Sequence, residues 1–309
     1  MKIFIIGAGG VGGYFGGKLA QAGFNVTFVV RGEHLSAIKK NGLQIKSIKG
    51  DFTVNPKVTD DIQTIHDPDL IILGVKSWQV IEVAKNLKSV ISKNTMVLPL
   101  QNGADNADKL LSVLNKENVL AGLSKIVSKI EAPGIIGHFA FEPEIIFGEI
   151  NNELTERVRS LNNVFDKAGF KNRISDNIQL DIWRKFLFIV SISGIAALTR
   201  VVIGEIREDI YLRKICYQTA LEIMAIANAK GISLSKTDIE NAMEAIDNTD
   251  FQTTASMQRD IMENRPSELD NFNGYIVSQG KDLQIETPIN DFIYYCLLPQ
   301  EKRARGNQG

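Results

Sequence analysis

The sequence predicts an α/β protein, with a doubly wound parallel-sheet domain at the N-terminus followed by an all-helical domain. Three observations carry this. A short apolar strand runs directly into a glycine-rich turn and a helix; apolar runs of parallel-strand type then alternate with helical stretches; and beyond about Asp176 only helical periodicity is found. The 309 residues, 44% hydrophobic and 23% charged, suit two medium domains. The expected division is 1–173 and 174–309, with the joint near residues 172–177.

Taken in order, "KIFII" is a β-branched apolar run, "YFGGKLAQAG" reads as a helix closed by Gly23, and "NVTFVV" gives a second strand. Strand, glycine turn, helix and strand within about 30 residues form the Rossmann-type dinucleotide context, and Gly7, Gly9 and Gly12 fill its G-x-G-x-x-G positions. The first permits a tight turn, the second lets backbone approach a pyrophosphate, and the third brings helix and strand together. Gly13, Gly16 and Gly17 lie inside the helix, where glycine costs about 1 kcal/mol relative to alanine, so with Ala20 they are expected to form a smooth packing face. "DLIILGV" and "TMVLPL" are further parallel strands, with "WQVIEVAKNLKSVI" helical between them. "SKIVSKIEAPGIIGHFAFEPEIIFGEI" reads as short strands punctuated by Pro and Gly, expected as antiparallel additions to the same sheet. "FLFIVSISGIAAL", Phe186 to Leu198, falls short of the roughly 18 apolar residues that span a bilayer and reads as a buried helix. "IYLRKICYQTALEIMAIANAKG" and "SKTDIENAMEAI" follow as amphipathic helices.

The net charge of -1 argues against nucleic acid and anionic membrane as partners, and the basic stretch "EKRAR" near the C-terminus is expected to be a solvated end. Cys216 and Cys296 match no disulfide or zinc spacing, which suits a reduced, cytoplasmic setting. The apolar run at the N-terminus is too short for a signal peptide. His34, His66 and His138 are scattered, so no metal site is expected, and there is no G-x-S-x-G nucleophile elbow.

Chemistry therefore points to hydride transfer, which needs a proton donor for the developing alkoxide. After the second strand the chain reads "VVRGEH": Arg31 stands where NAD-specific sites place an acid, and it can pair with the 2′-phosphate of NADP if Glu33 turns away. A solvated surface arginine is the alternative. Lys185 in "DIWRKFLF" is the best proton donor, because Trp183, Phe186, Leu187 and Phe188 supply apolar bulk that disfavours its charged form. Asp181, four residues earlier, leaves an ordinary helical salt bridge open as the other reading.

The ordered motifs resemble those of the ketopantoate reductase (2-dehydropantoate 2-reductase) family from Lys2 to about Tyr295. They are "GAGGVGG", Arg31, "VKSWQV", "QNG" at Gln101 to Gly103, "WRKF" at Trp183 to Phe186, "ASM" at Ala255 to Met257 and "ELDNFNG" at Glu268 to Gly274. The resemblance implies NADPH-dependent reduction of a small 2-oxo acid, ketopantoate to pantoate, on the route to pantothenate and coenzyme A. It implies that Gly7, Ala8, Gly9, Gly10, Val11 and Gly12 hold the dinucleotide, with Arg31 and Lys76 on its phosphates and Ser128 giving a backbone contact. By the same carry-over, Lys185 is the general acid, Asn102 orients the nicotinamide, Glu268 holds cofactor and substrate between the domains, and Ser256 meets the substrate carboxylate. Each has a plainer counterpart: a turn at Asn102-Gly103, a surface Lys76, a helix hydroxyl at Ser256, a helix-start carboxylate at Glu268.

The pattern departs at three places. Where the family presents asparagines to the substrate, this chain has Ile189, Ser193 and Ile203. Two polar contacts are lost, each ordinarily contributing about 0.5–1.5 kcal/mol, so either ketopantoate is held through Ser193 and Ser256 or another branched 2-oxo acid is preferred. Lys185 and Glu268 together speak against a non-catalytic NADP-binding protein. The apolar helical domain offers a surface for a homodimer.

Overall fold

The computed structural model describes residues 1–306. In chain order the first unit contains β1 (Lys2–Ile6), α1 (Gly10–Gln21), β2 (Asn25–Val29), α2 (Gly32–Asn41), β3 (Leu43–Ser47), β4 (Phe52–Val54), β5 (Lys57–Thr59) and β6 (Leu70–Leu73). There follow α3 (Val80–Leu87), β7 (Met96–Pro99), α4 (Asn106–Leu111), β8 (Ala121–Ala132), β9 (Ile135–Gly148), α5 (Glu156–Ala168) and β10 (Lys171–Ile174). The second unit is entirely helical: most of α6 (Ile178–Thr199), then α7 (Ile203–Glu208), α8 (Ile210–Ala229), α9 (Lys236–Asp247), α10 (Ser256–Met262), α11 (Asn273–Leu283) and α12 (Pro288–Gly306).

Two five-stranded sheets build the first unit. One is parallel, in the order β5-β2-β1-β6-β7, so the chain leaves β1 toward β2 on one side and returns through β6 on the other. That reversal is the switch point at which doubly wound sheets bind ligands. The second sheet corrects the expectation for residues 124–150, which add nothing to the parallel sheet. They form one long antiparallel hairpin, β8 with β9, and β9 pairs in parallel with β3 and β10. Pro143 does not end a strand as expected. Pairing slips between Lys125 and Val127, opposite Phe141 at φ 65, and β9 continues past the irregularity as a bulge. A parallel bridge, Val97 to Val119, and a hydrogen bond from Ser124 Oγ to Leu100 O at 3.3 Å join the edge of the first sheet to this hairpin.

Helix α1 lies between the sheets, and its glycines are the reason it fits. A Cβ at Gly16 would stand 2.6 Å from the Phe28 ring and 2.8 Å from Ile5 in the parallel sheet. On the other side, a Cβ at Gly13 would stand 2.7 Å from Ile136 and one at Gly17 3.2 Å from Ile45, both in the second sheet. Close packing on two faces requires the missing side chains.

The units divide at Asp181/Ile182, within α6 rather than before it. The first turn of α6 belongs to the first unit because that unit ties it down. Asn152 Oδ1 accepts from the Ile178 amide at 2.9 Å, and Asp181 Oδ2 is held by Ser175 Oγ at 2.5 Å and Arg173 Nη2 at 2.9 Å. By length and composition α6 could cross a membrane, but 67% of its most apolar window is buried inside the protein. Trp183 and Phe186 meet Tyr275 of α11, and Gly194 admits Ile293 of α12 and Asn273 of α11. The stretch "EKRAR" is not a solvated end: it forms the last turns of α12, with Glu301 2% and Ala304 5% exposed. Counting its charges missed that only Lys302 and Arg303 point fully outward, while Glu301 is paired internally.

Candidate active site

The site residues expected from sequence fall into one set on each unit. In the first, the C-terminal ends of β1, β2, β6 and β7 supply them. Gly7 leaves β1 at φ +91, its amide donating to Val29 O at 2.9 Å, a conformation that a side chain would strain. Ala8 is buried behind it, and Gly9 caps α1, whose first turn is Gly10, Val11 and Gly12. A Cβ at Gly12 would lie 2.1 Å from Gly7 O, so helix and strand touch there. A Cβ at Gly10 would lie 2.3 Å from Ser128 O and 2.8 Å from its Oγ, which places Ser128 of β8 against the start of α1.

Arg31 is exposed and extended at the N-cap of α2, two residues past the end of β2. Lys76 follows β6, exposed, with its ammonium 5.6 Å from the Trp78 ring centroid. Asn102 follows β7, and its carbonyl is fixed by Ser77 Oγ at 2.6 Å and Asn106 Nδ2 at 3.2 Å. Asn102-Gly103 is therefore a turn and also a turn held in place, with Gly103 at φ +130.

Three features fit this edge to a dinucleotide. Gly9 has φ −70 and a Cβ there would meet nothing nearer than Gly74 O at 3.7 Å, so the protein itself does not demand glycine at that point. The space it leaves open faces the N-terminus of α1, which has neither a side-chain cap nor an acidic residue in its first turn. Gln101 keeps both side-chain amide atoms, and Ser128 its hydroxyl, buried without a hydrogen-bond partner among the described residues. Buried polar groups ordinarily find partners, so these await a ligand or water.

Sequence reasoning missed Gln101, although it begins the "QNG" motif, and it missed His34. The Gly134 amide donates to His34 Nδ1 at 2.9 Å, joining α2 to the turn between β8 and β9. Burial pushes this imidazole below its ordinary pKa, only partly opposed by the Ala8 backbone. No sequence signal marks such a contact, since the partners are 100 residues apart.

In the second unit Lys185, Ile189 and Ser193 follow one another at four-residue spacing along α6. Lys185 and Ile189 are half-buried and Ser193 is buried, while Trp183, Phe186 and Leu187 beside the lysine are buried. Ile203 opens α7, 5% exposed, with its amide on Thr253 O at 2.9 Å. Gln258 Nε2 donates to Val201 O at 2.8 Å, so the start of α10, where Ser256 stands exposed, is tied to the loop before Ile203. Glu268 is 7% exposed and its Oε2 accepts from Asn271 Nδ2 at 3.0 Å.

Such a glycine cradle at a switch point, followed by a helical unit carrying a lysine in apolar surroundings, defines a nicotinamide-dependent oxidoreductase. The sequence pattern of the ketopantoate reductase PanE/ApbA family matches residues 3–152 and that of the family's C-terminal part matches residues 177–301; the chain belongs to this family. It is 32% identical to a 2-dehydropantoate 2-reductase of Pyrococcus abyssi over 97% of this chain and 98% of that one. Among solved structures, a PanE/ApbA family ketopantoate reductase from Ralstonia eutropha superposes with TM-score 0.91 at 29% identity, covering 99% of this chain and 100% of the other. D-mandelate dehydrogenase, in a ternary structure with NADH and anilino(oxo)acetate, also reaches TM-score 0.91, at 26% identity and the same coverage.

Proposed function

We propose that the protein reduces 2-dehydropantoate (ketopantoate) to pantoate with NADPH, the step that supplies pantoate for pantothenate and coenzyme A. The observation that carries this is Lys185, kept on an apolar helix in a chain that otherwise retains the ordered motifs of the family.

In this reading Gly9, Gly10, Val11 and Gly12 offer the amides of the α1 N-terminus to the pyrophosphate, and Arg31 and Lys76 take the remaining phosphate charge. The bound nicotinamide supplies the hydride. Asn102, its backbone already fixed, presents its side-chain amide to the nicotinamide carboxamide. Lys185 gives a proton from Nζ to the carbonyl oxygen as negative charge develops there, and the product leaves as a 2-hydroxy acid. Ser256 and Ser193 hold the substrate carboxylate and hydroxyl, and Glu268 accepts a hydrogen bond from the substrate. The test follows NADPH absorbance with 2-dehydropantoate for the wild type and Lys185→Ala; equal rates in the two proteins defeat the reading.

A second reading keeps the chemistry and changes the substrate. Ile189 and Ile203 present hydrocarbon where relatives of the family present amides, which favours a 2-oxo acid with a larger apolar side chain. D-mandelate dehydrogenase shows that the same architecture serves an aromatic 2-hydroxy acid. A panel of 2-oxo acids decides, and a clear best kcat/KM on 2-dehydropantoate removes this alternative.

A further inference from the structure

The most deeply buried acid that this mechanism leaves unused is Glu301, near the end of α12, with 2% of its surface exposed. Burying a carboxylate is costly unless it is fully paired. Here the pairing converges on one residue. The Ser267 amide lies 3.0 and 3.1 Å from the two Glu301 oxygens, and Ser267 Oγ donates to Oε2 at 2.6 Å. One turn further along α12, Arg305 Nε stands 2.8 Å from Glu301 Oε1, while its Nη2 donates to Ser267 O at 3.2 Å and stands 3.5 Å from Asp270 Oδ2. Tyr294, on the same helix, donates its hydroxyl to Asp270 Oδ1 at 3.0 Å. Upstream, Arg265 is fixed to Asp260 through Nε at 3.1 Å and Nη2 at 2.9 Å.

Ser267 thus has its amide, carbonyl and hydroxyl all held by α12, and Glu268 is the next residue. We propose that Glu301 and Arg305 are positioning residues for Glu268: the terminal helix fixes the backbone from which that carboxylate projects. Asn271 then orients the side chain itself. The proposal rests on the reading of Glu268 as a site residue. Catalytic groups are effective only when held within a fraction of an ångström, which a buried ionic clamp one residue away provides and a solvated loop does not.

The test is a double-mutant cycle on the full chain, with Glu301→Gln, Glu268→Gln and the pair, reading kcat/KM for the 2-oxo acid together with amide hydrogen exchange at residues 267–272. Glu301→Gln should lower kcat/KM about tenfold, less than the roughly 10²-fold that a 1 Å misplacement can cost. In the Glu268→Gln background the same change should cost under about twofold, because residues that act as a unit are non-additive. Exchange at Leu269, Asn271 and Phe272 should quicken. A merely structural Glu301 would cost equally in both backgrounds, and that result overturns the proposal, as does unchanged exchange. Arg305→Lys, partly exposed and charge-conserving, serves if Glu301→Gln fails to fold: it should reproduce the quickened exchange with a smaller loss of kcat/KM, and wild-type values of both overturn the proposal. A wild-type rate for Glu268→Gln instead defeats the functional reading of Glu268, a result the exchange measurement keeps separate.

Discussion

Helices α1, in the first unit, and α6, most of it in the second, each carry candidate site residues, and they do so in opposite ways. On α1 the candidate groups are backbone amides, and side chains are missing where it packs: Gly12 and Gly16 admit the Gly7 carbonyl, just past β1, and the Phe28 ring where a Cβ would stand at 2.1 and 2.6 Å. On α6 the candidate groups are side chains, with Lys185 beside the buried Trp183, Phe186 and Leu187 and the buried Ser193 eight residues further along the helix. A site made of backbone is fixed by packing, so it resists change. On α6 the half-buried Ile189 can change its side chain without opening the core, whereas Ile203, 5% exposed at the start of α7, cannot.

The largest effect that separates the two helices is expected at Lys185. General acid catalysis contributes about 10² to 10⁴-fold, so Lys185→Ala should lower kcat by that order while the melting temperature and NADPH affinity hold, the side chain being only half-buried. Steady-state kinetics beside calorimetric melting checks this. A large fall in melting temperature would show that α6, like α1, is a packing element first.

The reverse is expected on α1. Gly12→Ala drives a methyl group into the rigid Gly7 carbonyl and should cost at least the about 1–3 kcal/mol of ordinary overpacking, together with NADPH affinity. Gly16→Ala meets the Phe28 ring, away from the α1 N-terminus, and should cost a similar amount of stability with the cofactor Kd unchanged. Denaturant unfolding and fluorescence titration separate the two. Equal loss of NADPH affinity in both would mean that the helix position, not the loop, sets binding.

The same contrast explains what the sequence disclosed. The β1 turn, α1 and β2 were legible because their constraints are local: a glycine spacing, a helix period and a strand within about 30 residues. The packing role of Gly13, Gly16 and Gly17 followed from the cost of glycine in a helix. The second sheet was not legible, because β9 finds β3 and β10 across long stretches of chain and no periodicity encodes which strand is the neighbour. Pro143 looked like a terminator because a bulge and a strand end use the same residue types. The clamp on Ser267 was hidden for a like reason: its partner is 34 residues away, inside a stretch whose composition reads as a charged tail. Of the site itself, the residue types were visible in the motifs, whereas Gln101 and His34 declared themselves only through burial.

A smaller effect tests the first unit, where the proposal gives the discrimination between cofactors to one exposed side chain, Arg31. Arg31→Ala should raise KM for NADPH about tenfold and leave KM for NADH nearly unchanged; a charged hydrogen bond of about 1.5–3 kcal/mol is discounted because the guanidinium is solvated. Parallel kinetics with the two cofactors gives the ratio directly. Equal changes for both would assign Arg31 to the shared part of the dinucleotide.

The smallest effect bears on whether α6 sets the substrate. Ile189 lies one turn beyond Lys185 and is half-buried, so an amide placed there does not open a cavity in the core. Ile189→Asn restores a hydrogen-bonding group of about 0.5–1.5 kcal/mol, which is roughly two- to tenfold in kcat/KM. If 2-dehydropantoate is the substrate and merely lacks a partner, its kcat/KM should rise by that factor while apolar 2-oxo acids lose ground. If the pocket serves an apolar acid, the new amide is left unpaired beside it and kcat/KM for that acid should fall with no gain on 2-dehydropantoate. The sign of the change on 2-dehydropantoate, more than its size, therefore reports whether the isoleucine at this position is a loss or an adaptation.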